Sequence, residues 1–135
     1  GWVNAALGAI PVRRGEADRV AMRAAQNIIS DGAMMIVFPE GTRQSGTEVI
    51  GVFDGTAYLA QKTGAPIIPI GVGGTEAAMA SGSKGIKRVR CSIVVGEPIT
   101  PPEGRLSQPQ RRAFSEEVSA RLQVVFDEAI ALANG

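Results

Sequence analysis

Apolar and polar positions along this chain predict helices and short strands in alternation. Near the C-terminal end, apolar residues step by three or four positions from Phe114 to Leu132, which is the stripe of an amphipathic helix. A shorter stripe runs through Val20, Ala24 and Ile28. The predicted helices are Glu16–Asp31, Gly55–Thr63, a short one at Thr75–Met79, and Ser107–Ala133.

The segments between these helices include apolar runs of strand length. Met34–Phe38 is apolar at every position, which is typical of a strand covered on both faces. The other predicted strands are Ile10–Val12, Pro66–Val72 and Val89–Val95. Strands alternating with helices indicate the α/β class, here a layered fold with a mainly parallel central sheet flanked by helices. The length fits a single domain over residues 1–135.

Composition excludes several kinds of chemistry. The 135 residues include no His and one Cys, so catalysis by a Ser-His-Asp or Cys-His set is excluded within this chain. Histidine and thiolate zinc sites are excluded for the same reason, and we expect no metal and no cofactor. A net charge of +1 provides no global field toward nucleic acid, so no nucleic-acid partner is expected. No apolar run reaches the roughly 20 residues that span a bilayer.

The turn after Met34–Phe38 carries the richest candidate chemistry. Glu40 and Arg43 are three residues apart, and Gly41 between them allows close approach of the backbone to a ligand. Ligands of open α/β sheets bind beyond the carboxyl ends of the strands. Arg43 suits a phosphate through bidentate contact, and Glu40 suits a substrate hydroxyl or Arg43 itself. A structural turn with a local Glu–Arg pair is the alternative interpretation.

The segment Phe38–Arg43, with sequence FPEGTR, resembles a block of the glycerolipid acyltransferases, the lysophosphatidic acid and glycerol-3-phosphate acyltransferases of phospholipid synthesis. Upstream, Gly8–Arg14 resembles their Gly-x-Ile-x-x-x-Arg block. Downstream, Gly64–Ile70 resembles their Pro-containing fourth block. Phe53-x-Gly55 also fits, although Asp54 stands where the family often has Lys. The blocks follow the family's order over nearly the whole chain.

The resemblance implies a reaction and a role for each block. The reaction is transfer of a fatty acyl group from acyl-CoA or acyl carrier protein to the free hydroxyl of lysophosphatidate, which gives phosphatidate. Arg14 and Arg43 would bind the acceptor's phosphate, and Glu40, with Gly41 and Thr42 in the same turn, would position its glycerol end. The implied wall of the acyl or acceptor pocket is Pro66, Ile67, Pro69 and Ile70.

The family's first block, His-x-x-x-x-Asp, lies upstream of the Arg14 block and does not occur in this chain. In the family, its His is the general base and its Asp orients that His. The resemblance therefore assigns no catalytic residue here and predicts an inactive C-terminal fragment of the enzyme; a degenerate homologue is the alternative. A non-catalytic phospholipid- or anion-binding module also remains open, as does an acyltransferase acting on glycerol-3-phosphate or another lysolipid.

A basic run lies just before and at the start of the predicted strand Val89–Val95. It consists of Lys84, Lys87, Arg88 and Arg90. A solvated loop is the first interpretation, and contact with anionic lipid head groups or with the acidic surface of a carrier protein is the second. The resemblance implies a location on the cytoplasmic side of the membrane. Attachment there would be peripheral or through the N-terminal part of the enzyme, with the fragment itself soluble.

Overall fold

The computed structural model describes residues 19–39, 46–49, 54–78, 85 and 87–135. The described helices are α1 (Arg19–Ser30), α2 (Asp54–Thr63), α3 (Thr75–Ala78) and α4 (Gln108–Asn134), and the described strands are β1 (Ile70–Gly73) and β2 (Ser92–Val95). These helices confirm the four predicted ones to within the few residues by which helix ends vary. The start of the predicted helix Glu16–Asp31 and the predicted strand Ile10–Val12 lie outside the described residues.

The start of α4 is set by local sequence. Ser107 precedes the helix, and its backbone N–H and its hydroxyl both donate to Gln110 Oε1, over 2.9 and 2.8 Å. Pro109 lies in the first turn, where a missing N–H costs no helical hydrogen bond. Although α4 is long, no helix in the described ranges is both long and apolar enough to cross a membrane.

The described sheet is an antiparallel pair, in which Ile70 lies opposite Val95 and Val72 opposite Ile93. An isolated bridge between Ile67 and Ile99 extends the pairing. The predicted mainly parallel sheet is therefore wrong for the described residues. The direction in which two strands pair depends on how the segment between them folds, and the hydrophobic pattern of the sequence does not show that.

The predicted strand boundaries at Pro66–Val72 and Val89–Val95 are too wide. Continuous pairing starts only at Ile70, since Pro66 and Pro69 have no backbone N–H to donate to a ladder. β2 likewise begins at Ser92, opposite Gly73, where β1 ends. The length of each strand is thus limited by its partner, which a run of apolar residues does not reveal.

The predicted buried strand Met34–Phe38 is also wrong. The structure assigns it no strand, and its side chains are largely in solvent: Met34 is 88% exposed, Ile36 75% and Phe38 83%. A strand needs a neighbour to satisfy its N–H and C=O groups, and no strand in the described ranges pairs with this segment. Continuous apolarity was therefore insufficient evidence of a covered strand.

The helices cover one face of the β1–β2 sheet and leave the other open. Gly71 and Gly73 are buried against α4, whereas the alternate residues of β1 are exposed. Because opposed residues of paired strands share a face, β2 contributes to the open side as well. The exposed apolar residues of this open face are Ile70, Val72, Ile93 and Val95.

The core lies where α2 and α4 meet the extended segments beside the sheet. Its buried cluster consists of Ala57, Ala60, Ile99, Phe114 and Val118. Val49, Ile67 and Leu122 pack against this cluster. The helix α1 packs on α2 and buries Ala21 and Ala25, so the predicted stripe of Val20, Ala24 and Ile28 is not its buried face; Val20 is 80% exposed. The described residues thus combine helices with a small antiparallel sheet, and the predicted layering around a parallel sheet is not found among them.

Candidate functional site

The predicted phosphate and glycerol residues, Arg14, Glu40, Gly41, Thr42 and Arg43, lie outside the described residues. Their roles stay predictions, as does the convergence of the two arginines on one phosphate. The structure does describe the chain on both sides of the Glu40–Arg43 turn, up to Pro39 and again from Gly46.

The segment that follows the turn is fixed to α4 by one side-chain amide. Val49 N–H donates to Gln123 Oε1 over 2.7 Å, and Gln123 Nε2 donates to Thr47 O over 2.8 Å. Nε2 also donates to Asp127 Oδ1 over 2.7 Å, which fixes the orientation of the amide. Gln123 thus pairs with the loop backbone as a neighbouring peptide group would. The described residues 46–49 are held against the helix as a result.

The same segment also reaches the end of β1. Gly46 N–H makes a long hydrogen bond of 3.4 Å to Glu76 Oε2, and Glu76 lies in the first turn of α3, immediately after β1. Gly46 has a φ of 105°, a conformation that favours glycine. The residue that resumes the described chain after the turn is therefore next to the carboxyl end of β1.

The predicted pocket-wall residues do not share one face of the chain. Ile67 pairs with Ile99 and packs on the core, and Pro69 is buried, with its carbonyl accepting Gly96 N–H over 2.9 Å. Pro66 and Ile70, by contrast, are exposed. Their common role as one wall stays a prediction. The sequence interpretation did not identify Ile68 and Val72, which are exposed at the alternate positions on either side of Ile70.

The basic run is exposed wherever the structure describes it. Lys87, Arg88 and Arg90 are all on the surface, and Lys84 lies outside the described residues. Lys87 N–H donates to Ala78 O over 2.8 Å, which ties the run to the end of α3. These positions suit a solvated loop and a membrane contact equally, so both interpretations stay open.

Comparison with known proteins decides the family. Residues 1–73 match the family model described as Acyltransferase, and this match includes Arg14 and the whole Glu40–Arg43 turn. The chain belongs to the Acyltransferase family. The family assignment confirms the resemblance found in its sequence blocks.

Two kinds of relative support the assignment to the Acyltransferase family. The chain is 32% identical over 88 residues to 1-acyl-sn-glycerol-3-phosphate acyltransferase BAT2, chloroplastic, of Brassica napus, covering 64% of this chain and 26% of that protein. It is 27% identical over 127 residues to 1-acyl-sn-glycerol-3-phosphate acyltransferase alpha of Ovis aries, covering 94% of this chain and 44% of that protein.

A solved structure shows the same fold type. The crystal structure of the 1-acyl-sn-glycerophosphate (LPA) acyltransferase PlsC from Thermotoga maritima aligns with a TM-score of 0.64 and 30% identity, over 80% of this chain and 44% of that one. The chain thus spans less than half the length of each of these three relatives.

Proposed function

We propose that the protein carrying this chain is an acyltransferase of phospholipid synthesis that acylates the free hydroxyl of lysophosphatidate to give phosphatidate. The observation that carries the proposal is the family match over residues 1–73, which includes both predicted phosphate-binding blocks. The curated relatives named above are both 1-acyl-sn-glycerol-3-phosphate acyltransferases. The acyl donor is acyl-CoA or acyl carrier protein.

In this proposal the chain supplies binding and positioning. Arg14 and Arg43 bind the acceptor's phosphate, for which guanidinium groups offer paired N–H donors. Glu40 accepts a hydrogen bond from the glycerol end, and Gly41 and Thr42 shape the turn. Binding energy from the non-reacting phosphate then holds the acceptor hydroxyl against the thioester. Residues 46–49, which follow the turn in the sequence, are hydrogen-bonded to Gln123 of α4 and to Glu76 beside β1.

The chemistry itself requires a base from outside these 135 residues. The acceptor hydroxyl oxygen attacks the thioester carbonyl carbon, a C–O bond forms and the C–S bond breaks. The hydroxyl proton passes to the base, and the thiolate leaves with the carrier. The chain contains no His. We infer that the base comes from the part of the fold that the longer relatives have in addition.

A chimera tests the proposal. This chain replaces the matching segment of the Thermotoga maritima acyltransferase, and acyl transfer to lysophosphatidate is measured. We expect turnover by the chimera, and Arg43→Ala to lower kcat/KM for lysophosphatidate by about 10- to 150-fold, because a hydrogen bond to a charged group contributes roughly 1.5–3 kcal/mol. Arg43→Lys should recover only part of this loss, since an ammonium cannot reproduce the guanidinium fork.

The matched control is Arg121→Ala, which removes an equal charge from an exposed position of α4. This variant should leave kcat/KM for lysophosphatidate and KM for the acyl donor unchanged. The KM for the acyl donor should also change little in Arg43→Ala. A folded chimera in which Arg43→Ala handles lysophosphatidate as well as the parent does would refute the phosphate role. A folded chimera that binds lysophosphatidate without transferring an acyl group would instead favour a binding module.

The acceptor is tested in the same assay. Glycerol-3-phosphate and a lysolipid with a substituted phosphate are compared with lysophosphatidate at equal concentration. We expect the highest kcat/KM for lysophosphatidate. A higher kcat/KM for glycerol-3-phosphate would support acyl transfer but would identify glycerol-3-phosphate as the acceptor.

A further inference from the structure

Two clefts that meet at Tyr58 carry a concentration of positive charge that the sequence interpretation did not identify. The larger cleft, of about 480 Å³, lies between the C-terminal half of α2 and the start of α4. Lys62, Arg105 and Arg111 line it, together with Tyr58 and Gln61 among others. Both arginines belong to the segment that leads into and begins α4, so distant parts of the sequence supply the charge.

The second cleft continues the charge onto α1. It measures about 390 Å³, and its lining includes Arg19 and Arg23 as well as Tyr58. We call the two clefts together the Tyr58 groove. Among the described residues, none that lines either cleft is acidic.

The cations of the Tyr58 groove have no anionic partner among the described residues. The ion pair seen in the described part of the chain joins Arg112 to Glu116, and within that part none of the five groove cations makes one. Lys62 Nζ instead lies 5.7 Å from the centroid of the Tyr58 ring. Like charges held in one cleft repel each other, and a bound anion would remove that repulsion.

The walls of the larger cleft are fixed by hydrogen bonds that leave most of the cationic donors available. Gln61 Nε2 donates to Gly104 O over 2.7 Å, which joins α2 to the segment before α4. Arg111 Nη1 donates to Leu106 O over 3.2 Å, and this holds the guanidinium beside the cleft. The positive end of the α4 dipole lies at the same place, because Gln108 begins that helix.

We propose that the Tyr58 groove binds a phosphate monoester, carried either by a soluble nucleotide or by a lipid head group. Guanidinium and ammonium groups that make no ion pair with the described residues match a ligand of up to two negative charges. The half-exposed Tyr58 ring offers a surface for the organic part of the ligand. The groove shares no residue with the predicted Arg14 and Arg43 blocks, so the inference does not depend on acyl transfer.

Binding to the purified chain tests the inference in two arms. In the soluble arm, adenosine 5′-monophosphate is titrated by calorimetry, with adenosine as the phosphate-free comparison. In the lipid arm, the chain is sedimented with phosphatidylcholine vesicles that contain or lack phosphatidate. We expect phosphate-dependent binding in one arm, and a loss of at least tenfold in affinity in the triple variant Lys62→Ala, Arg105→Ala, Arg111→Ala. Higher salt should weaken the binding as well.

Two controls locate the site. Arg121→Ala lies outside both clefts and should bind as the parent does, and Arg43→Ala measures separately how much of any lipid binding belongs to the proposed acyltransferase site. Circular dichroism checks the fold. If the triple variant unfolds, Lys62→Ala and Arg105→Ala alone should each weaken binding several-fold, since neither side chain makes a hydrogen bond in the described structure.

The outcomes distinguish a soluble nucleotide from a lipid head group, and one set of outcomes overturns the inference. Loss of nucleotide binding in the triple variant identifies a soluble ligand. Loss of vesicle binding alone in that variant identifies a lipid head group. The inference is overturned if neither probe binds, if adenosine binds as well as its monophosphate, or if Arg43→Ala abolishes binding while the groove variants retain it.

Discussion

Gly71 and Gly73 allow β1 to lie directly on the backbone of α4. A Cβ placed on Gly71 would overlap the carbonyl of Val125, and one on Gly73 would overlap the carbonyl of Ala129. Ser92 on the paired strand reinforces this contact, because its hydroxyl donates to Ala129 O. The sequence shows two glycines in a strand. The sequence does not show why glycine is needed there, because each glycine contacts a helix residue more than 50 positions away.

The glycine contact predicts a sharp difference between two Gly→Ala changes. Gly71→Ala should lower the free energy of unfolding by about 1–3 kcal/mol or more, because neither the strand nor the helix backbone can move aside cheaply. The matched control is Gly55→Ala in α2, where the nearest atoms to an added Cβ are Met22 Cε and Sδ, at 3.8 and 3.9 Å. Urea unfolding measures both variants. A smaller loss for Gly71→Ala than for Gly55→Ala would contradict the packing described.

Gln123 is the second residue whose importance depends on a long-range contact. Its amide satisfies backbone groups of Thr47 and Val49, more than 70 positions away. Gln123→Ala should destabilise the chain by about 1–3 kcal/mol and speed hydrogen exchange at the Val49 amide, which loses its acceptor. Glu128→Ala, an exposed change on the same helix, is the control. Unchanged exchange at Val49 in Gln123→Ala would show that the loop is held by other contacts.

At the scale of elements, the helices could be predicted from the sequence to within a few residues, whereas two strands could be predicted in position but not in length or pairing direction. The start of α4 follows from Ser107, Pro109 and Gln110, which lie within one turn, and its buried face follows from the apolar stripe. A strand depends on a partner strand, and the residues around the strand do not show where in the sequence that partner lies. The predicted strand Met34–Phe38 is therefore the clearest error, and the parallel order of the sheet failed for the same reason.

Stability measurements distinguish the predicted buried strand from the exposed segment in the structure. Ile36→Ser should change the free energy of unfolding by no more than about 0.5 kcal/mol, because Ile36 is 75% exposed. Phe114→Ala, within the core beside α2, should cost about 3–5 kcal/mol. Val124→Ala provides a surface control on α4, at 63% exposure. A loss of several kcal/mol in Ile36→Ser would instead support the predicted strand that is covered on both faces.

For the whole molecule, average properties conceal the charge distribution. A net charge of +1 excludes a global field, yet five cations meet around Tyr58. Their sequence positions, from Arg19 to Arg111, give no sign of this convergence. The Glu40–Arg43 turn could be predicted because its chemistry is contiguous in the sequence. A site assembled from separate helices requires the fold.

The absence of His from the sequence leads to a prediction for the whole chain. The purified 135 residues should not transfer acyl groups to lysophosphatidate, because loss of a general base alone typically costs about 10²- to 10⁴-fold and the chain spans only 44% of its Thermotoga maritima relative. The assay compares the chain with that relative and with the chimera under identical donor and acceptor concentrations. Activity restored in the chimera, and abolished again by Arg43→Ala, would assign the missing chemistry to the surrounding fold and the acceptor binding to this chain. Turnover by the isolated chain near that of the relative would instead require a carboxylate or lysine base among these residues.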